Sequence, residues 1–205
     1  MEDRTLLKWG GISALIFVAL LTSSIITFWV TGGIEFKAWV PLFSTLVCFL
    51  VVAVLAGYEY LAKSHYALAR VGLGFAALSL MTLLLEAVVW GADKMVLRSG
   101  GGAMQSGITP LMATFNSLHM LVLWLIAIWL ACWGAGLVRL PGKAKLAGTF
   151  MLLVAPGHLV DYALARLGRV GLPADLWHLG SQIMLLSSFM FLGLLLLNTS
   201  REEQA

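Results

Sequence analysis

The segment APGHLVDYALARLGRVGLPADLWHLG, residues 155–180, carries two histidines, two aspartates and two arginines in a chain that is otherwise almost entirely apolar. His158 and Asp161 are three residues apart, which puts them on one face of a helix. At that spacing a carboxylate can orient an imidazole, or the two can hold a common proton or metal ion. Pro156 and Gly157 stand immediately before the pair. The first removes a backbone hydrogen bond and the second removes side-chain bulk, so a kink or local opening is expected there.

Three further ionisable residues interrupt long apolar runs. Glu86, in LSLMTLLLEAVVWGADK, shares a helical stripe with Ser79, Thr82 and Trp90. His119 shares one with Met112, Asn116 and Met120. His178 begins a polar stripe that continues through Ser181, Gln182 and Ser188. Ionisable groups inside hydrocarbon are costly, and their default reading is functional.

Neutral imidazole and carboxylate suit iron, copper and zinc. His119, His158 and His178 are therefore candidates to bind haem b or a transition metal, and His158, Asp161 and Glu86 are candidate metal ligands. No spacing is diagnostic: the chain has neither Cys-x-x-Cys-His nor His-Glu-x-x-His. No catalytic group or reaction is assigned by the sequence. Two other readings use the same residues. In one they form a proton relay in a carrier or channel, with Pro156-Gly157 as its irregular backbone. In the other they tie helices together in an accessory subunit of a larger membrane complex, for which small-residue faces such as RVGLGFAA are suited.

The elements that position these residues follow from composition. Of 205 residues, 60% are hydrophobic and 11% charged, and the mean hydropathy is +0.95. A soluble domain of this size could not hide so much apolar surface, so the partner of most of the chain is a lipid bilayer. Continuous runs of Leu, Val, Ile and Ala lack the alternation of barrel strands, which predicts an all-α, polytopic integral membrane protein. Gly, Pro and charge divide the chain, read as one domain over 1–205, into a bundle of six transmembrane helices at approximately 9–30, 38–58, 67–91, 110–138, 146–166 and 177–198. The first run resembles a secretion signal but continues to Val30, which favours a retained helix.

Lys and Arg in the short loops give the orientation. With the N-terminus cytoplasmic, that side holds Arg4, Lys8, Lys63, Arg70, Arg139, Lys143, Lys145 and Arg201, against Lys37, Lys94, Arg98, Arg166 and Arg169 on the other. Eight against five is a bias toward both termini being cytoplasmic, in a membrane of the bacterial inner-membrane type. The net charge of +3 comes from few charges of either sign and is no nucleic-acid footprint. Cys48 and Cys132 fall inside spans, as packing residues rather than a disulfide. Trp124, Trp129 and Trp133 read as packing and interface anchors rather than as a cofactor box. Under this topology Glu86, His119, His158, Asp161 and His178 all fall in the outer half of the membrane, beneath the Gly-rich connection 92–107 and the connection 167–176.

Overall fold

A computed structural model describes residues 2–31, 36–98, 110–166 and 172–202. Within those helices the side chains of 2–3, 28–29, 31, 36–40, 90–98, 110–113, 115–116, 158–159, 161–166 and 172–179 lie outside the described residues. The described residues form five helices: α1 (Glu2–Thr31), α2 (Phe36–Arg98), α3 (Pro110–Leu137), α4 (Lys143–Arg166) and α5 (Leu172–Glu202). Four of them carry an apolar stretch long enough to cross a membrane: Arg4–Thr27, Pro41–Val89, Ser117–Leu137 and Gly180–Glu202.

Six separate helices were expected, and among the described residues the count is corrected to five. The expected spans 38–58 and 67–91 belong to one element, α2, in which only His65 leaves helical geometry, at φ −138° and ψ 58°. The physical reason lies in YEYLAKSHYALARV, residues 58–71, which contains neither Gly nor Pro. Helical hydrogen bonding therefore resumes as soon as the one aberrant residue is passed. α2 nevertheless folds back on itself. A methyl placed on Gly57 would come within 2.6 Å of Trp133 Cζ3, and one placed on Gly72 would collide with the pyrrole edge of the same ring. A straight helix would hold Gly57 and Gly72 about 22 Å apart at 1.5 Å per residue, too far for one indole to touch both. The first arm, before His65, and the second arm, after it, are thus the limbs of a helical hairpin.

Each helix packs against its neighbours in the chain, and α5 closes the ring by packing on α1. The seams are lined by small residues, as close packing in lipid requires. Gly10 of α1 abuts Ala56 of α2, a methyl on Gly11 would lie 2.8 Å from the Gly193 carbonyl of α5, and Gly134 of α3 faces Gly148 of α4. The α3–α4 connection is a tight turn in which Gly142 takes φ +65°, a conformation glycine adopts without the steric penalty of a side chain. At the centre, Trp133 is fully buried and Trp129 nearly so. Trp129 packs edge-on against Trp133 at 5.6 Å and against Phe189 of α5 at 5.9 Å, and Phe189 meets Phe17 of α1 at 5.1 Å. Both tryptophans are packing residues, whereas Trp124 is exposed on the flank of the bundle.

These contacts order the bundle end to end. The start of α1, the His65 turn, the α3–α4 turn and the end of α5 share one end, because Gly10 sits at Ala56, Gly11 at Leu197 and Gly136 at Leu61. Arg4, Lys8, Lys63, Arg70, Arg139, Lys143, Lys145 and Arg201 belong to those segments, so this is the basic end. Lys37, Lys94, Arg98 and Arg166 lie at helix termini belonging to the other end. The connection 99–109 and residues 167–171 lie outside the described residues, and with them the expectation that the two outer connections cover a site.

Candidate functional site

Glu86 sits in the second arm of α2, on the face formed by Ala69, Gly72, Ala76, Ser79 and Thr82, each buried. That face is turned toward α3: Trp133 Nε1 donates to the Ala69 carbonyl at 3.3 Å, and Gly72 lies under the same indole. The two helices run antiparallel, so advancing from Gly72 to Glu86 on one retreats from Trp133 to His119 on the other. At that level His119 Nδ1 lies 2.8 Å from Glu86 Oε1. The separation is that of a charge-assisted hydrogen bond with one proton between the two atoms. The proton sits either on Nδ1 beside a carboxylate or on Oε1 beside a bare imidazole nitrogen.

The two partners differ in exposure. The Glu86 side chain is 12% exposed and that of His119 48%. Glu86 Oε2 is buried and, among the described residues, has no hydrogen-bond partner. The site therefore pairs a carboxyl shut inside the bundle with an imidazole that reaches its surface. Both lie at the end of their helices away from the basic end, in the half of the bundle that also holds Ser181.

Ser79 and Thr82 send their hydroxyls back to the carbonyls of Ala76 and Leu78, both at 2.8 Å. These bonds satisfy them within their own helix, the usual arrangement for hydroxyls in apolar helices. Ser181 of α5 departs from it. It is 3% exposed, and its Oγ has no partner among the described residues. Trp129 Nε1 is the remaining buried polar atom in that condition among the described residues, and it lies within the aromatic core.

Of the residues singled out by sequence, the structure brings Glu86 and His119 into contact. His158 and Asp161 lie on α4 one turn apart, and His178 lies on α5 three residues before Ser181, but the side chains of all three lie outside the described residues. The expected His158–Asp161 centre is thus not described. Among the described residues no group of three or more His, Cys, Asp or Glu side chains could hold a metal ion. Cys48 is exposed on α2 and Cys132 half-buried on α3, both as free thiols. His65, which sequence reasoning passed over, has a conformational role as the hinge of α2. A signal for it existed in the polar run Lys63-Ser64-His65 between two apolar stretches. Set against family models, curated proteins and solved structures, the chain matches none.

Proposed function

We propose that this protein crosses the membrane six times with both termini cytoplasmic, and that its function is carried by an intramembrane polar site in the outer half, where Glu86 and His119 take up and release a proton. The observation that carries this reading is the 2.8 Å contact between two titratable side chains of different helices, one of them a carboxyl whose second oxygen is buried without a partner among the described residues. Moving the shared proton between Oε1 and Nδ1 costs little geometry, and the half-exposed imidazole gives the buried carboxyl an outlet. Six crossings are supported by the apolar stretch Pro41–Val89, whose 49 residues are about twice what one crossing needs and which folds back at His65. The antiparallel packing of α4 between α3 and α5 supplies the remaining crossing. The gathering of eight Lys and Arg at one end supports the orientation.

Two experiments test this. Reporter fusions at residues 64, 141 and the C-terminus should report the cytoplasm and a fusion in 99–109 the opposite side; a cytoplasmic signal from 99–109 overturns the orientation. For the site, protein is reconstituted into liposomes containing a pH-sensitive dye, and an imposed potassium diffusion potential should drive proton entry. Glu86→Gln, which keeps the shape and removes the titrating group, should abolish that entry. Equal flux in wild type and variant overturns the assignment to Glu86, and no flux in either overturns the proton-carrying reading.

A second reading is favoured by one detail. Imidazoles that bind metals or haem commonly have their other ring nitrogen held by a carboxylate, and Glu86 holds His119 in that way. In this reading His119 supplies the ligand nitrogen, Glu86 orients it, and further ligands come from His158, Asp161 or His178. Purified protein would then carry a Soret band or about one equivalent of a transition metal, lost in His119→Ala. Metal-free, colourless protein from cells grown with haem precursor and metals excludes it.

A further inference from the structure

The tip of the α3–α4 hairpin holds cations that its own sequence does not offset. Gly148 of α4 lies against the end of α3, where a methyl on it would come within 2.5 Å of the Val138 amide nitrogen. Residues 139–147 therefore form the tip, and they include Arg139, Lys143 and Lys145. No acidic residue occurs anywhere between Asp93 and Asp161. Arg139 and Lys145 are exposed and Lys143 is half-buried, and among the described residues none of the three side chains has a hydrogen bond or an ion pair. The first turn of α4 contains no acid, so its two lysines stand at the end of the helix dipole that repels cations. One face of α4 runs on from these charges. Lys145, Leu146, Leu153 and Val160 fall within about 100° of one another around the helix axis. All four are exposed, the three apolar ones by 38–50%. From Leu146 to Val160 the helix advances about 21 Å, enough to lie along the acyl chains of one leaflet, which is half of a hydrocarbon core about 30 Å thick.

We propose that this face of α4 is a docking surface for an anionic phospholipid, with the headgroup held by Arg139, Lys143 and Lys145 and an acyl chain lying along Leu146, Leu153 and Val160. The inference rests on the reading that α4 crosses the membrane and is independent of any proton carried by Glu86. Charge decides the class of lipid. A zwitterionic headgroup brings no net charge to three uncompensated cations, whereas phosphatidylglycerol brings a negative one. Each Lys or Arg near a membrane surface is worth roughly a fivefold gain in attraction to anionic lipid. The long lysine stems can cover apolar surface while the ammonium groups reach headgroup level, and the arginine fork matches the oxygens of a phosphate.

The test is fluorescence quenching on the full chain in liposomes. With Cys48→Ala and Cys132→Ala as background, a bimane label is placed on Thr149→Cys, which lies on the exposed face between Leu146 and Leu153. Phosphatidylglycerol or phosphatidylcholine carrying a spin-labelled acyl chain is then added at equal mole fraction. Phosphatidylglycerol should quench at least about fivefold more effectively. The ratio should fall to near one when Arg139→Gln, Lys143→Gln and Lys145→Gln are combined. A label on Leu55→Cys, exposed on the first arm of α2 in the same half of the bundle, should give a ratio near one throughout. Equal quenching by the two lipids at 149 overturns the proposal, as does a preference that survives the triple substitution. A preference of the same size at 55 overturns it too, since the attraction would then belong to the whole basic end. Quenching by neither lipid at 149, with normal quenching at 55, would instead show that α4 lies outside the bilayer and would remove both the crossing and the site.

Discussion

Trp133→Ala should be the most damaging single truncation in this protein, lowering its stability in detergent or bilayer by about 3–5 kcal/mol. For a chain of this size that is a fall in melting temperature on the order of 10 °C. The indole is fully buried, fills the space left by Gly57 and Gly72 between the two arms of α2, stacks edge-on with Trp129, and donates to the Ala69 carbonyl. In lipid the driving force for such packing is contact and hydrogen bonding rather than expulsion of water. The cavity therefore costs what the lost contacts were worth. Trp133→Phe, which keeps a ring but loses the N–H, should lie between the two. A melt for Trp133→Ala within about 2 °C of wild type would mean that the hairpin does not close on this ring.

The second large effect is a difference between single and double substitutions at the candidate site. His119→Leu removes the partner of Glu86 Oε1 while Oε2 already lacks one among the described residues, which leaves a buried carboxyl unsatisfied at both oxygens. The expected cost is about 1–3 kcal/mol, the scale for a buried polar group that loses its partner. Glu86→Leu combined with His119→Leu should recover most of the loss, since replacing both members of a buried polar pair by apolar groups is close to neutral. The readout is a four-member cycle of melting temperatures. Additive penalties in the double variant would show that the two side chains act on stability independently and would remove the pair from the site.

The same pair shows how far sequence carries. Glu86 and His119 were both legible as ionisable residues set in apolar helices, and periodicity placed each on a polar stripe. What periodicity lacks is the register between helices. Residues 33 apart in sequence meet only because Ala69 and Gly72 seat Trp133, which fixes how the second arm of α2 slides along α3. His158 and Asp161 are more conspicuous in the sequence, because their three-residue spacing is visible within one segment. The all-helical, membrane-type composition was plain from length and hydropathy. The number of helices was not, because the break near residue 65 was expected from charge and turn residues, whereas the chain reverses at one non-helical residue flanked by good helix formers. Ser181 was visible as a stripe member, but its isolation is a property of what faces it across the α4–α5 seam.

The reversal of α2 at His65 also bears on how the protein is made. Two limbs joined by a single residue leave no length of chain that could wait in water while one limb enters the bilayer alone. On the proposed topology the two limbs would enter the membrane as one insertion unit, with Lys63 and Arg70 beside the turn that stays on the cytoplasmic side. On that topology the turn at His65 would couple two crossings into one event of biogenesis, and a chain lengthened at residue 65 would separate them.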